Sequence, residues 1–254
     1  VQRYFLTETY RENQVIEVAG EVFHHAVHVM RMTKGSTCYL VFSDGPVILA
    51  EVVAIGEDTV EFRAVSQLTE QTELPVAVTI ACGFPKGDKL EWVAQKATEL
   101  GAHHIIGFPA AASVVKWDDK KRRKKQQRLQ KIAQEAAEQS HRTHIPKVSL
   151  LESLDGLLDS FTGYDVVLVA YEESAKQGEL SQFAQAVRRL KPDSRVLAVF
   201  GPEGGLSPDE IKKMTSQQGL LCGLGPRILR AETAPLYVLS AISYHWELLA
   251  EQEA

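Results

Sequence analysis

The chain has 254 residues and is 44% hydrophobic, enough for one large domain or for a small one joined to a medium one, and enough to bury a proper core. Its 28 basic and 33 acidic side chains leave a formal charge of −5. Overall electrostatics therefore offers no case for nucleic-acid binding, which has to rest on local clusters. Cys38, Cys82 and Cys222 lie far apart and form no CxxC pair, the pattern of a reduced, intracellular protein without a disulfide framework or zinc ribbon.

The beginning, VQRYFLTETYREN, is too polar for a signal peptide, and no apolar run approaches the ~20 residues that span a bilayer. The expectation is a soluble, cytoplasmic protein that contacts no membrane. From Arg3 to about Val65, short apolar stretches alternate with polar turns: Gln14 to Val18, Thr37 to Phe42, Val47 to Ile55 and Thr59 to Ala64. The turns Lys34-Gly35, Ser43-Asp44-Gly45-Pro46 and Gly56-Glu57-Asp58 suit a small β-barrel or sandwich, interrupted by a helix between Glu21 and Met32. Gln67 to Leu74, polar and followed by Pro75, reads as a linker. The boundary is placed near residue 72, giving domains 1–72 and 73–254.

Beyond it the rhythm becomes strand, turn, helix. Strands are expected at Val76 to Ala81, His103 to Phe108, Tyr164 to Ala170 and Arg195 to Phe200. Helices are expected at Asp88 to Leu100, Asp118 to His141 and Glu179 to Leu190. This alternation predicts an α/β domain with a mostly parallel sheet covered on both faces, whose ligands bind at the carboxyl ends of the strands.

Two loops stand out there. RVLAVF runs into Gly201-Pro202-Glu203-Gly204-Gly205, and Ser207, Pro208 and Glu210 then spell a capping box with proline at the first helical position. Three glycines in five residues let the backbone approach a ligand closely, although a plain tight turn fits them equally. The apolar stretch Leu220 to Leu224 leads into Gly225-Pro226-Arg227-Ile228-Leu229-Arg230-Ala231-Glu232-Thr233 and then a largely apolar helix from Leu236 to about Leu249. Arg230 and Glu232 in so tight a loop have to pair with each other or with something bound.

GPEGGLSPDE followed by GLGPRILRAETAPL resembles the RsmE-type family of small-subunit ribosomal RNA uridine N3-methyltransferases, in the SPOUT superfamily. KGDKLEWVAQKATELGA, SVVK, KIAQEAAEQSHR and HHAVHVMRMTKG are similar to that family as well, so the likeness covers almost the whole chain. It implies a PUA-like β-barrel that binds RNA, followed by a SPOUT α/β domain with a carboxy-terminal trefoil knot. S-adenosylmethionine would be held in the knot. Unknotted topology is the general rule, so the pattern of elements alone predicts the opposite.

Residue by residue, the resemblance implies a cofactor site built from Gly201, Pro202, Gly204, Gly205, Cys222, Leu224, Gly225, Ile228 and Thr233, with Phe200 and Leu229 as apolar walls and Tyr171 and Glu172 as a third loop. Arg230 would stabilise charge developing on the target pyrimidine. Glu232 would orient Arg230 or, through water, receive the proton. Methyl transfer of this kind needs no metal. The family likeness also implies a homodimer, which the last helix, with Leu236, Leu239, Ile242, Trp246 and Leu249, would serve, although an intrachain core explains those residues as well.

For RNA, Lys120 to Lys131 (KKRRKKQQRLQK) carries eight basic residues and no acidic one. It is either a solvated helix face or a phosphate-binding stripe in which Lys121, Arg122, Arg123 and Lys124 take part. Arg3, Arg31, Lys86 and Arg142 are further candidates. His24, His25 and His28 have ligand-like spacing, but no carboxylate or cysteine completes a zinc set. The resemblance departs at Ala112, where the family carries an arginine before SVVK. A binding protein that has lost turnover is therefore the alternative to an active methyltransferase. A nucleotide-phosphate enzyme is disfavoured, since neither GxxxxGK[ST] nor a strand-linked GxGxxG is present.

Overall fold

A computed structural model describes residues 1–69, 71–172 and 182–249 of the chain. The chain divides into two compact units, Val1–Thr72 with Glu138–Thr143, and Glu73–Ala137 with the described residues from His144 onward.

The first unit is a five-stranded sheet in the order β1-β3-β4-β5-β2. β3 (Thr37–Val41), β4 (Val47–Ile55) and β5 (Thr59–Leu68) pair antiparallel, β2 (Ile16–Ala19) joins β5 antiparallel, and β1 (Arg3–Phe5) runs parallel to β3. The period of two explains the register: Cys38 and Leu40, Ile48, Ala50 and Val52, and Val60 and Phe62 all point into one core. By strand pairing the expected barrel is an open sheet with β1 and β2 at its edges. The expected linker starts too early, because Gln67 and Leu68 still belong to β5.

The expected helix forms only as α1 (Gly20–Phe23), which widens into a π-helical turn over His24–Val29. Met30 N–H donates to the His25 carbonyl at 2.8 Å and Met32 N–H to that of Ala26 at 2.9 Å. Arg31, between them, takes a left-handed φ of 54°, which ends the helix before Met32.

The second unit holds six parallel strands in the order β11-β9-β10-β6-β7-β8. These are β6 (Ala77–Gly83), β7 (His104–Phe108), β8 (Lys147–Leu150), β9 (Val166–Ala170), β10 (Arg195–Phe200) and β11 (Leu220–Cys222). The helices are α2 (Lys89–Glu99), α3 (Asp119–Gln139), α4 (Leu154–Asp159), α5 (Gln182–Arg189), α6 (Pro208–Ser216) and α7 (Thr233–Ser243). The first residues of the helix expected at Glu179 to Leu190 lie outside the described residues.

Both faces of the sheet are covered. On β10, Val196, Ala198 and Phe200 pack with Leu90 and Val93 of α2 and Val238, Leu239 and Ile242 of α7. Leu197 and Val199 pack on the other side with Leu157 and Met214. Leu239 and Ile242 are thus consumed by the unit's own core and are not available to a partner. Tyr237 of α7, and Tyr244 and Leu248 of the π-helical segment Tyr244–Leu249 that continues it, are exposed instead.

The neighbours β6 and β10 send their chains opposite ways, β6 through α2 to β7 and β10 through α6 to β11. Such a reversal leaves a crevice beyond the carboxyl ends of the strands. No described helix is long and apolar enough to cross a membrane.

Candidate functional site

A cleft of about 940 Å³ opens at those carboxyl ends. Three loops line it. After β10, the chain from Phe200 to Leu206 turns sharply. A Cβ on Gly201 would come 2.6 Å from the Gly205 carbonyl carbon and 2.8 Å from the Leu206 nitrogen, and Gly205 has φ +74°. Only glycine allows so close a fold-back.

The turn is locked by the start of α6. Ser207 Oγ accepts the Glu210 N–H at 3.3 Å, and Glu210 Oε2 accepts the Ser207 N–H at 2.8 Å, with Pro208 at the first helical position. This is the capping box expected from the sequence.

After β11, Leu224 to Ala231 form the second wall, with Gly225 at φ +89° and Ile228 75% exposed. The Arg230 carbonyl accepts the N–H groups of Thr233 and Ala234 at 2.9 and 3.1 Å, which starts α7. The Arg230 side chain makes no ion pair among the described residues. After β9, Ala170, Tyr171 and Glu172 close the third side.

The cleft thus brings together Tyr171, Glu172, Phe200, Gly201, Pro202, Gly204, Gly205, Leu224, Gly225, Ile228, Leu229 and Arg230. Three expected residues do not line it. Cys222 is buried, and its carbonyl is taken by the Tyr171 N–H at 3.1 Å. Thr233 is the first residue of α7, its N–H turned back to Arg230. Glu232 does not pair with Arg230. Its Oε2 lies 3.2 Å from Nζ of Lys89, an ion contact without hydrogen-bond alignment.

Lys89 and Glu203 line the cleft and were missed by the sequence reading. Lys89 Nζ is 2.9 Å from Glu203 Oε1, and the Lys86 N–H donates to the same oxygen at 3.1 Å. The Glu203 carboxylate first, and then that of Glu232, hold the Lys89 ammonium above its ordinary value, with desolvation opposing them. Partial burial pushes the Glu203 carboxyl up, but the Lys89 ammonium and the N–H groups of Glu203 and Lys86 outweigh it and hold it below the usual carboxylate range. The signal available in the sequence was the place of Lys89 in KGDKLEW, at the carboxyl end of a central strand.

The RNA candidates sort differently from expectation. Arg3 is 3% exposed, donates to the Arg142 carbonyl at 3.1 Å and lies over the Tyr39 ring, so it braces its own unit. Arg142 is buried as well. Neither can reach a phosphate without unfolding its surroundings. Arg31 and Lys86 are exposed.

On α3 the basic residues divide by face. Arg122 pairs with Asp119 and Glu152, and Lys125 and Arg128 pair with Glu91 at 2.9 and 2.7 Å. Lys120, Lys121, Arg123 and Lys124 are exposed and form no ion pair among the described residues. Lys120, Arg123 and Lys124, with Gln127, flank a shallow groove.

Ala112 sits against the glycine loop: a Cβ on Gly204 would come 2.8 Å from the Ala112 Cβ. The His24 and His28 rings stand 5.3 Å apart, while His25 Nδ1 bonds the Tyr4 hydroxyl at 3.1 Å. Among the described residues no group of three or more His, Cys, Asp or Glu could hold a metal ion.

An RNA methyltransferase domain model matches residues 72–243, and an RNA methyltransferase PUA domain model matches residues 18–65. The chain is 51% identical over 252 residues to ribosomal RNA small subunit methyltransferase E of Bacillus subtilis, covering 98% of each. A Legionella pneumophila protein in complex with bound S-adenosylmethionine is 28% identical, with a TM-score of 0.82 over 96% of this chain and 97% of that one. A ribosomal RNA small subunit methyltransferase E from Neisseria gonorrhoeae, bound to S-adenosylmethionine, shares the fold at 24% identity. Its TM-score is 0.83 over 96% of this chain and 98% of that one. With both domain models matched in order and half of all positions shared with a relative of the same length, the chain belongs to the ribosomal RNA small subunit methyltransferase E family.

Proposed function

We propose that this chain transfers a methyl group from S-adenosylmethionine to N3 of a uridine in small-subunit ribosomal RNA, in the cytoplasm. The observation that carries the reading is the cleft at the carboxyl ends of β9, β10 and β11, walled by backbone on two sides and lined by Arg230, a cation without an ion pair among the described residues.

The residues fit the cofactor. At about 940 Å³ the cleft has the size of a small-molecule site. Gly201 and Gly204, where a Cβ would collide, and Gly205 and Gly225, at positive φ, leave main-chain groups bare toward it. Gly201, Gly204, Gly205, Leu224, Gly225 and Ile228 would hold the cofactor by backbone, with Phe200 and Leu229 as walls and Tyr171 and Glu172 on the third side. Bound there, S-adenosylmethionine supplies an electrophilic methyl on a sulfonium.

The chain's own task is alignment and one proton. N3 of uracil carries a proton at neutral pH and must lose it to become a nucleophile. Arg230 stabilises the negative charge that spreads over the pyrimidine. Glu232, two residues on in the loop and outside the cleft lining, receives the proton through water. The Glu232–Lys89 contact turns Glu232 away from Arg230, which speaks against an orienting role.

The insertion of β10 between β6 and β9, with β11 outside β9, supports a knotted cofactor site. Tyr237, Tyr244 and Leu248, exposed at helical spacing on one side of the last helix, support a homodimer in which a second copy covers them. The exposed cations of α3, with Arg31 and Lys86, support contact with RNA phosphates.

The test is Arg230→Ala. Turnover is expected to fall by about 10²-fold or more, as for removal of one charge-stabilising donor, with cofactor affinity nearly unchanged. Equal loss of both would make Arg230 structural. Ala112, in the cationic position of the family, favours the second reading, a binding protein without turnover, which shows cofactor and RNA affinity but no methyl transfer.

A further inference from the structure

Lys89 is the first residue of α2, just past the carboxyl end of the central strand β6. Its ammonium touches two segments remote in sequence, Glu203 of the glycine loop at 2.9 Å and Glu232 of the arginine loop at 3.2 Å. Glu203 is also held by the Lys86 N–H at 3.1 Å. One side chain therefore spans three loops at the mouth of the cleft it lines.

The charges are unequal. One ammonium between two carboxylates leaves one negative charge uncompensated. Glu232 Oε2 is shut off from solvent and makes no aligned hydrogen bond among the described residues, so it can accept one more donor. A proton arriving on Glu232 leaves Lys89 and Glu203 as a balanced pair, and no cation is stranded. Without Lys89 the two carboxylates would repel each other and their loops would part. A partly exposed ion pair contributes little to stability by itself. That favours a role in geometry over one in holding the fold.

We infer that Lys89 is a positioning residue for the methyl transfer: it fixes the Glu232 carboxylate against the glycine loop, so that the proton acceptor is in place only when the cofactor loop is formed. The inference rests on the reading of Glu232 given above. Lys89 acts through Glu232, and its removal should be silent once the Glu232 carboxylate is gone.

The experiment compares the full-length chain with Lys89→Met, Lys89→Arg, Glu232→Gln and the double variant Lys89→Met/Glu232→Gln. Readouts are kcat on unmethylated small ribosomal subunits, the Kd for S-adenosylmethionine by calorimetry, thermal stability, and amide hydrogen exchange. Lys89→Met is expected to lower kcat about tenfold or more, a loss of ~1.4 kcal/mol in the transition state, with the cofactor Kd within about threefold. Lys89→Arg should recover most of the rate. The double variant should be no slower than Glu232→Gln alone. Exchange should quicken in Gly201 to Leu206 and Leu224 to Glu232 and stay the same elsewhere. Multiplicative losses in the double variant, a Kd loss matching the kcat loss, or unchanged exchange in both loops would overturn the inference. Glu232→Gln at wild-type speed would remove Glu232 from the mechanism itself, and the inference with it. Loss of rate in Glu232→Gln beside a fully active Lys89→Met would overturn the inference alone.

Discussion

Glu210 accepts the backbone N–H of Ala111 at 2.8 Å while its other oxygen accepts that of Ser207. The carboxylate is 5% exposed, and it clamps the loop after β7 to the start of α6, directly behind the glycine turn. An amide in its place has one acceptor where the carboxylate has two. Glu210→Gln should therefore leave a backbone donor unpaired and cost about 1–3 kcal/mol. In a chain of this size that lowers Tm by several degrees. Thermal denaturation checks it; an unchanged Tm would mean the clamp carries no stability.

Gly204 and Ala112 constrain each other across the same two loops. A Cβ on Gly204 meets the Ala112 Cβ at 2.8 Å, whereas a Cβ on Gly201 meets backbone. Gly204→Ala should weaken S-adenosylmethionine binding about tenfold, in line with the ~1–3 kcal/mol of a forced overpacking, and adding Ala112→Gly should restore most of it. Gly201→Ala should weaken binding with no such rescue. Calorimetric Kd values on Gly204→Ala and Gly201→Ala, each with and without Ala112→Gly, decide. Failure of Ala112→Gly to rescue would show that residue 112 does not set the shape of the loop.

The long, well-patterned parts of this fold were legible in the sequence. The strand Arg195–Phe200 and its capping box appear as read, because β-branched residues, three glycines and Ser-Pro-Asp-Glu all point the same way. β1 and β8, of three and four residues, were not legible, since so short a strand shows no period and is fixed by its neighbours β3 and β7. The last helix was legible as a helix, while its apolar residues fitted a partner and an intrachain core alike: Leu239 and Ile242 point into the core, and Tyr237 and Tyr244 point out. In the site, the glycine loops could be found from local residues. Lys89 could not, because its partners Glu203 and Glu232 are more than a hundred residues away. Arg3 was misread for the same reason, since its carbonyl partner at Arg142 is a tertiary contact.

Burial pushes the His104 imidazole down to about 4, helped by the charges of Lys147, His103 and His144, while Nε2 meets Ser149 Oγ at 3.0 Å. The unfolded chain takes up this proton near 6.5, so between about 6.5 and 4 the unfolded state binds more protons. Stability is complete above that window and falls as pH is lowered through it. Allowing for partial exposure of the ring, the effect is on the order of 1–2 kcal/mol. Denaturant titrations at pH 7 and pH 5 should show the loss, and His104→Gln should shrink it. An equal loss in the variant would place the proton uptake elsewhere.

The division of α3 into paired and unpaired cations predicts two salt responses. Replacing Lys120, Arg123 and Lys124 together by alanine should lower the log–log slope of RNA affinity against salt by about 2–3, at ~0.7–0.9 per phosphate contact. Replacing Lys125 and Arg128, whose charges meet Glu91, should leave the slope nearly unchanged. A slope unchanged from wild type in both variants would remove α3 from the RNA surface.

The central claim is tested most directly by offering labelled S-adenosylmethionine and small ribosomal subunits from cells lacking this protein, then mapping the product by mass spectrometry. One uridine should be methylated at N3 despite Ala112, with turnover about 10²-fold lower in Arg230→Ala. Tight cofactor binding with no methyl incorporated, or a methyl on any atom other than uridine N3, would contradict it.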